Sequence, residues 1–385
     1  PATLTINTAL NRVYNGGLQG ALSIVKDGAG IQTFNGSFEP GLAPTTMTGT
    51  ITLNAGGISI GSDNALGTGN LIVNGAGTLT TGTIGLRLFD NDIVLNNALT
   101  VLVGNGREFN LGGDIGGTGS LVKTGIGTLR LLGDNSYSGG TTLTAGRVEL
   151  GGNNALGTGL VTVTGVTTLA ATNPAFSLSV ANDFNINAQD LRVETGNAGS
   201  VFELTGDIVG SRNIIIGGGS QGTLRLAGDN GGHTGTIAVD SGVLELASAG
   251  AAGSATAIRL ANATTLSIDA AGVAVGSTIA SRTGSGAVEA TINTNAFNAT
   301  ITGQVRDHNA ALGDTLGITK DGSGILTLAF GDLIAGTRNE LTGGLTVAEG
   351  TVNLTGVLAG NVSVENGATF AGTGTQIGTL VLQTG

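Results

Sequence analysis

Several residue types are absent or scarce in this chain, and each scarcity excludes a class of protein. There is no cysteine, which rules out a disulfide framework and a thiolate metal site. There is no tryptophan, and aromatic residues make up only 3% of the 385 residues, so any core must be filled with aliphatic side chains. Charged residues make up 11%, too few for a typical disordered chain. No apolar stretch reaches the ~18–20 residues of a transmembrane helix.

Basic residues are scarce as well. Lys and Arg number 15 against 26 Asp and Glu, which gives a formal net charge of −11 and a pI near 4.5. The basic residues are scattered singly along the sequence, whereas nucleic acids and anionic lipids are bound by basic patches. We therefore expect no nucleic-acid partner and no membrane-embedded segment in this sequence.

Glycine is abundant where other residues are rare. The 71 glycines are more than twice the usual share of ~7%, yet only four prolines and no Gly-X-Y period are present, which excludes collagen. Between the glycines, apolar and polar residues alternate in short runs with Asn, Asp or Gly at each break. This pattern predicts short β-strands joined by turns, and no segment predicts an amphipathic helix.

Strands this short cannot bury an apolar face alone, but they can if each turn of chain stacks on the one before it. We therefore predict an all-β fold, one continuous parallel β-helix (β-solenoid) that forms a single elongated rod over residues 1–385. At roughly 20–24 residues and ~4.8 Å per coil, the chain would make about 16–19 coils. We expect loops at 172–176 and 304–312 to project from it.

All three lysines of the chain occur at the same place in a repeated phrase. Lys26 lies in SIVKDGAGIQTF, Lys123 in SLVKTGIGTLRL and Lys320 in GITKDGSGILTL, and a fourth copy, NIIIGGGSQGTLRLAG, has Gly218 at the lysine position. Such self-similarity is the signature of a repeat architecture. We predict about four imperfect units of ~100 residues within the one solenoid, with approximate bounds 20–116, 117–211, 212–312 and 313–385.

A second phrase follows the first in each unit. It reads ITLNAGGISI, TLTAGRVEL, IAVDSGVLEL and LTVAEGTVNL, and its copies share Gly56, Gly146, Gly242 and Gly350. Each copy has two alternating segments around an x-x-Gly turn. We interpret the shared glycine as a turn position that needs positive φ.

The repeated lysines admit two interpretations. They could form a row of ligand sites or of ion pairs between subunits. We favour the other interpretation, in which a lysine at a strand end keeps the turn soluble and discourages side-by-side sheet association. On that view, Lys123→Gln would change stability by well under ~1 kcal/mol.

Candidate catalytic groups are few. A glycosidase needs two facing carboxylates about 5–9.5 Å apart, and the acidic residues that could stack on one face are Asp90, Asp92, Asp183, Asp190, Glu194 and Asp207. Carbohydrate grooves usually add aromatic platforms, but the chain has only two tyrosines, Tyr14 and Tyr137. We therefore expect no enzyme, and we keep a carbohydrate-active β-helix enzyme (polysaccharide lyase or glycosidase) as the alternative.

Metal and cofactor sites are not indicated either. His233 and His308 lie in GDNGGHTG and RDHNAAL, with none of the spacings that hold zinc, and we expect both to lie in solvated loops. Asn and Asp cluster at corners such as GDN, where calcium would suit the oxygens. Hydrogen-bonded turns need the same residues without an ion, and we favour turns.

Residues 117–150, GTGSLVKTGIGTLRLLGDNSYSGGTTLTAGRVEL, closely resemble the passenger-associated transport repeat, also called the autotransporter-associated β-strand repeat. The copies at 22–60 and 318–354 match the two ends of the family pattern but lose its central N-x-Y-x-G-G, and the copy at 214–246 lacks the lysine and the tyrosine. The resemblance implies a right-handed parallel β-helix that serves as the passenger of a type V secretion system.

This resemblance carries the functional expectations. It implies a structural or adhesive protein on the bacterial cell surface, held at the outer membrane through a segment that we expect to lie outside this sequence. We expect a surface ligand on a host or neighbouring cell. Because stacked strands leave unpaired backbone groups at each end of a solenoid, we also expect copies to associate end to end into fibres.

Overall fold

The computed structural model describes residues 2–36, 45–82, 85–309 and 313–383. Within these ranges every regular element is a β-strand and none is a helix, which confirms the all-β prediction. The chain divides into two compact units. Unit 1 comprises Pro1–Asn173 and Val180–Asn185, and unit 2 comprises Pro174–Ser179 and Ile186–Gly385.

The strands of unit 1 are short, as the alternating runs predict. They are β1 (Thr3–Asn7), β2 (Arg12–Tyr14), β3 (Ser23–Asp27), β4 (Ile31–Phe34), β5 (Ile51–Leu53), β6 (Gly56–Ile60), β7 (Leu71–Val73), β8 (Gly77–Thr81), β9 (Gly85–Phe89), β10 (Ile93–Leu95), β11 (Leu99–Leu102), β12 (Arg107–Leu111), β13 (Ile115–Gly117), β14 (Leu121–Thr124), β15 (Thr128–Leu131), β16 (Thr141–Leu143), β17 (Gly146–Leu150), β18 (Val161–Val163), β19 (Thr167–Ala171) and β21 (Phe184–Asn185). Strand β20 (Leu178–Val180) has residues in both units.

Unit 2 is built in the same way. Its strands are β22 (Leu191–Glu194), β23 (Val201–Leu204), β24 (Ile208–Val209), β25 (Ile214–Ile216), β26 (Thr223–Leu226), β27 (Thr236–Val239), β28 (Val243–Leu246), β29 (Ala257–Leu260), β30 (Thr265–Ile268), β31 (Ala274–Val275), β32 (Thr278–Ser281), β33 (Ala287–Asn293), β34 (Ala299–Ile301), β35 (Val305–Arg306), β36 (Thr315–Asp321), β37 (Ile325–Leu328), β38 (Asn339–Glu340), β39 (Gly344–Val347), β40 (Thr351–Leu354), β41 (Val357–Ala359), β42 (Val362–Val364), β43 (Thr369–Gly372), β44 (Thr375–Ile377) and β45 (Leu380–Leu382).

Parallel sheets form the sides of each unit. Those of unit 1 run β1-β3-β5-β7-β10-β13, β2-β4-β6-β8-β11-β14-β16-β18-β21 and β9-β12-β15-β17-β19. Those of unit 2 run β22-β25-β27-β29-β32-β35-β38-β41-β44, β23-β26-β28-β30-β33-β36-β39-β42-β45 and β31-β34-β37-β40-β43. Neighbours in a sheet are one coil apart in the chain, so both units are β-solenoids, as predicted, with about 17 turns in all.

The pairing register gives the length of each coil. The regular coils, such as the one from Leu121 to its partner Thr141 and the one from Leu71 to its partner Ile93, have the predicted length. Other coils differ. Leu345 pairs with Val362 after a shorter coil, whereas Arg306 pairs with Glu340 only after a much longer one. The predicted length therefore describes the regular coils, and the longer coils carry insertions.

Aliphatic side chains stack in columns inside the coils. Ile24, Ile51, Leu71, Ile93 and Ile115 pair one above the other and are each at most 1% exposed. The alternation places every second residue of a strand inside. A one-residue slip would turn the whole apolar set outward, so the burial of these columns fixes the register.

The shared glycines have the predicted conformation. Gly56, Gly146, Gly242 and Gly350 have φ values of 72°, 81°, 74° and 67°. Space is also restricted, because a Cβ on Gly146 would lie 2.6 Å from the carbonyl oxygens of Gly125 and Gly127 in the preceding coil. Glycine is therefore required twice over, by φ and by the closeness of the next turn.

One of the two predicted projecting loops is wrong. Pro174, Ala175 and Phe176 are exposed, as expected for 172–176. In 304–312, however, Val305 and Arg306 form strand β35 and Asp307 is buried, while 310–312 lie outside the described residues. Residues 332–338 are exposed instead, in the insertion that lengthens the coil between β35 and β38.

Candidate functional site

The three repeated lysines are buried, contrary to the interpretation as turn-solubilising residues. Lys26, Lys123 and Lys320 are each 0% exposed. Lys123 occupies an inward position between Val101 and Leu143, in what is otherwise an aliphatic column. The alternation of apolar and polar residues already places Lys123 at an inward position. Its charge, taken alone, suggested a position on the surface.

Each buried ammonium group is held by backbone carbonyls. Lys123 Nζ donates to the carbonyl oxygens of Thr124, Gly125 and Ala145, at 3.1, 2.6 and 3.0 Å. Lys26 makes the same contacts with residues 27, 28 and 55, at 2.5, 2.7 and 3.3 Å. Lys320 donates to Gly322 and Glu349, at 2.6 and 3.0 Å. We call this arrangement the lysine clamp.

The lysine clamp joins two successive coils. Two of the carbonyls bonded to Lys123 belong to its own turn, and the third, Ala145, directly precedes Gly146 in the next coil. Lys123 and Leu143 pair in the sheet, so the two phrases of the repeat lie one above the other. The repeat is therefore a two-coil unit, in which the glycine lets the turns approach and the lysine satisfies their carbonyls.

The lysines do not form a row on one face of unit 1. Lys26 lies on β3, in the sheet that begins with β1, whereas Lys123 lies on β14, in the sheet that begins with β2. Successive copies therefore fall on different sides of the coil. This placement, together with the burial, argues against a row of ligand sites.

The lysine-free copy closes its turn differently. Ile216, not Gly218, occupies the inward strand-end position there, and Gly218 lies in the turn with φ of 80°. Ser220 Oγ donates to the Gly217 carbonyl at 2.8 Å and accepts from the Thr195 amide at 3.0 Å. A longer turn thus uses a serine hydroxyl in place of an ammonium group, and the alignment of Gly218 with lysine is wrong.

Burial changes the acidity of the clamped lysines. It lowers the pKa of Lys123 to about 8. It also lowers the pKa of Lys26, where Asp27 opposes the shift, and of Lys320, where Asp321 and Glu349 oppose it. The charged form in the interior is thus less favourable than in water.

Arginines and carboxylates pair across the outer faces of the sheets. Arg130 contacts Glu108 at 2.7 Å and Glu149 at 2.5 Å in unit 1. In unit 2, Arg225 pairs with Glu203, Glu245 and Asp269. These pairs are partly exposed, so each contributes little to stability. They neutralise those arginines.

Unit 2 has a further group of basic residues, and not all of its arginines form ion pairs with carboxylates. Arg259 and Arg306 lie on the outer face in register with Ala280 between them. A guanidinium nitrogen of Arg259 donates to Nδ1 of His308, and Arg282 forms an ion pair with Asp240 at 2.6 Å. We call Arg259, Arg282, Arg306 and His308 the arginine face.

The arginine face is not apparent from the sequence. Its arginines are separated by one coil length each in the sequence. Without the coil length they look like single scattered charges, because residues one coil apart become neighbours only in the stack. Two cavities flank them. One, of about 200 Å³, is lined by Arg259 and Arg282 among others, and one of about 520 Å³ is lined by Arg306, His308 and Arg338.

Of the candidate catalytic and metal-binding residues, only His308 lines either of these two cavities. Asp92 and Asp190 accept backbone amides of the next coil, from Asp114 at 3.0 Å and Asn213 at 2.9 Å. Among the described residues, no three His, Asp or Glu side chains are grouped so as to hold a metal ion. His233 is 0% exposed, with Nε2 3.0 Å from the Arg212 carbonyl oxygen, so the prediction of a solvated loop is wrong for it.

The Asn residues at corners make the predicted hydrogen bonds, and they do so between coils. Asn135 accepts from the Ile115 amide at 2.8 Å and donates to the Ala155 carbonyl at 2.7 Å, which links three successive coils. Two positions further along the chain, Tyr137 is buried and its hydroxyl lies 2.6 Å from Thr141 Oγ1. The N-x-Y part of the repeat is thus structural.

Comparison with known proteins agrees with this geometry. The passenger-associated-transport-repeat family matches residues 121–150, 220–246 and 318–354. The first and third matched segments contain a lysine clamp, and the second begins at Ser220, whose hydroxyl closes the lysine-free turn. The copy at 22–60 is not matched, although it forms a clamp of the same geometry. No solved structure matches the chain.

One curated relative is an adhesin. The chain is 26% identical over 307 residues, 74% of its own length, to the "Adhesin BmaC autotransporter" of Brucella suis biovar 1 (strain 1330). It spans only 8% of the length of that protein. In the described part of the chain, no helix has the length and apolar character needed to cross a membrane.

The structure is a stacked parallel β-solenoid with two-coil repeats, which is a repeat-built scaffold. Three segments of the chain match the passenger-associated transport repeat, and the chain is similar over 74% of its length to an autotransporter adhesin; both findings support an autotransporter passenger. Its place is outside the cell, at the bacterial surface.

We predict that Lys123→Met destabilises the coils that the clamp joins. Methionine keeps the side chain in the aliphatic column but removes the donor for three carbonyls. Loss of donors to buried acceptors should lower the local free energy of opening by about 1–3 kcal/mol. Hydrogen exchange of peptides covering 121–150, read by mass spectrometry, measures this change.

Ile216→Met is the matched control. Ile216 holds the same inward strand-end position without an ammonium group, so the swap should cost under about 1.5 kcal/mol. Equal losses for the two variants would show that the Lys123 hydrogen bonds contribute nothing.

The lowered pKa predicts a pH dependence with a definite sign. Between the folded value of about 8 and the unfolded value of 10.5, the unfolded chain binds the proton at Lys123 and the folded chain does not. Stability therefore rises with pH across this window and is constant below it. Between pH 8 and 10.5, the free energy of unfolding in urea should rise by about 1–3 kcal/mol for the native chain relative to Lys123→Met. If the free energies of unfolding of the two proteins changed with pH in parallel, the lowered pKa of Lys123 would be contradicted.

Proposed function

We propose that this chain is an adhesive stretch of an autotransporter passenger and has no catalytic role. The observation that carries the proposal is the likeness to an autotransporter adhesin over 74% of the chain. The interior of the solenoid is filled by aliphatic columns and clamped turns, so recognition falls to the outer faces and insertions. The adhesin is far longer than this chain, and adhesion by the stretch itself is therefore the point to test.

The insertion at 331–338 supports a contact role. Asp332 and Thr337 exchange backbone hydrogen bonds of 3.0 Å, and Asp332 Oδ1 accepts from the Ile334 amide at 2.7 Å. This ordered turn presents two apolar side chains to solvent, Leu333 at 55% and Ile334 at 99% exposed. Apolar residues held outward in a loop on a rigid scaffold are typical of protein contact sites.

We predict that Leu333→Ser/Ile334→Ser weakens adhesion without unfolding the chain. Beads coated with the full chain are applied to epithelial cell monolayers and counted after washing. Loss of two apolar anchors should reduce attachment at least about fivefold, the factor for about 1 kcal/mol.

The control is Ile126→Ser/Val166→Ser. These side chains are 65% and 74% exposed and lie at coil turns in unit 1, so attachment should be unchanged. Equal attachment by the 333/334 variant and the native chain would remove the loop from the contact. No attachment by native beads would contradict adhesion by this stretch.

The enzyme alternative has less support. Asp92, Asp190 and Asp207 each accept a backbone amide from the adjacent coil, a role that explains their presence at corners. The relative is named as an adhesin, and neither observation favours a polysaccharide lyase or glycosidase.

Self-association is a further part of the proposal. Its support is the parallel stacking of the coils, in which every strand pairs through its edge with the strand one coil away. Strand edges with apolar side chains favour pairing with another chain. Electron micrographs at high concentration should show filaments with a ~4.8 Å axial repeat, and isolated particles alone would contradict end-to-end assembly.

A further inference from the structure

We propose that the arginine face of unit 2 binds an acidic polysaccharide, a chain of sugars bearing carboxylate or sulfate groups. The inference rests on the proposed adhesive function and deepens it, because it gives that function a ligand class. It starts from positive charge that the protein itself does not neutralise.

Two guanidinium groups of the face form no ion pair, although Glu340, the neighbour of Arg306 in the sheet, forms one with Arg338 at 3.0 Å. Among the described residues, Arg259 and Arg306 form no ion pair: Arg259 donates to His308 Nδ1, and Arg306 donates to the carbonyls of Asp307 and His308 at 3.3 and 3.5 Å. The nearest acid in sequence, Asp307, is 7% exposed, and its oxygens accept from Leu316 and Thr342 instead.

The charges of the arginines also affect the pKa values of their neighbours. Burial and the charges of Arg282 and Arg306 lower the pKa of Arg259. Burial and the two nearby guanidiniums lower the pKa of His308, against the opposing charge of Asp314. A neutral imidazole is consistent with Nδ1 accepting from Arg259. In a chain of net charge −11, such a local positive field is unusual, and an anion placed there would relieve it.

The spacing suits an extended ligand. Arg259 and Arg306 lie in register two coils apart, so their backbones are roughly 10 Å apart, and Arg282 lies in the coil between them, two residues beyond Ala280. The outward neighbours of Arg259 in the stack, Ala238 and Ala280, are small. Cavities of about 200 and 520 Å³ continue from the arginines on either side. One coil step is about the length of one sugar ring, so acidic groups on alternate sugars can meet Arg259 and Arg306, which lie two coils apart.

The rest of the molecule favours a polysaccharide over a nucleic acid. A nucleic acid carries a charge at every nucleotide and binds through many basic residues, but Arg225 on another sheet of unit 2 is surrounded by Glu203, Glu245 and Asp269. Single strands also stack on aromatic platforms, and only 3% of this chain is aromatic. Bidentate hydrogen bonds from a few guanidiniums to carboxylate or sulfate need neither.

The test measures binding of the full chain to four probes by biolayer interferometry. Heparin carries sulfate and carboxylate, polygalacturonate carries carboxylate alone, dextran is neutral, and a single-stranded DNA oligonucleotide represents nucleic acid. We expect heparin, polygalacturonate or both to bind at about 0.1 M salt and to dissociate at about 1 M, where the screening length falls from about 10 to 3 Å. Dextran should not bind.

Arg259→Gln/Arg306→Gln should weaken polysaccharide binding at least about tenfold, because two charge-assisted contacts are lost. Arg130→Gln is the matched control, since Glu108 and Glu149 neutralise that arginine, and it should bind as the native chain does. Unchanged hydrogen exchange would show that the double variant is folded.

The outcomes separate the two proposals. Binding of polygalacturonate shows that carboxylate suffices, and binding of heparin alone assigns the sulfate group; both support the inference. No polyanion binding at about 0.1 M salt, undiminished binding by the double variant, or tighter binding of DNA would overturn it. If beads still adhere to cells while no polysaccharide binds, the ligand class fails and the adhesive function stands.

Discussion

The register between successive coils is the constraint on which the rest of the structure depends. Each strand pairs in parallel with the strand one coil away, so an inward residue always lies above another inward residue, as Ile51 lies above Ile24. Glycine at the tightest corners lets the backbones meet, as Gly146 does over Gly125 and Gly127. The turns that meet there bring the carbonyls of Gly125 and Ala145 together, and the lysine clamp donates to both. The aliphatic columns, the corner glycines and the clamped lysines thus all allow the turns to stack closely.

Function is separated from this interior. The clamped repeats and Asn bridges maintain the stack, whereas the outer faces and insertions differ from coil to coil. Unit 2 carries both features with a recognition character: the apolar turn around Ile334 and the arginine face. Because the coils hold their outward residues at a fixed step, a scaffold of this kind can present charges at the spacing of a polymer without any loop having to fold on binding.

Much of the fold can be predicted from the regular patterns of the sequence. Alternation identifies the strands, the glycines identify the corners, and the repeat identifies the stacking. The buried lysines were not predicted, because an ammonium group in a core is costly unless backbone carbonyls converge on it, and that convergence depends on the next coil. The arginine face was missed for a related reason. Arg259 and Arg306 are two coils apart in the chain, and only the pairing register brings them to one face. Gly218 was misaligned because a longer turn preserved the flanking letters.

Amine acylation followed by peptide mass spectrometry tests the central claim most directly, because the chain has only three lysines and all three form clamps. In the folded protein, we expect Lys26, Lys123 and Lys320 to react on the order of 100-fold more slowly than in denaturant, since reaction requires local opening of two coils. In denaturant all three should react at the rate of free lysine. Rapid acylation of Lys123 in the folded chain would contradict the clamp and, with it, the description of the repeat as a two-coil unit.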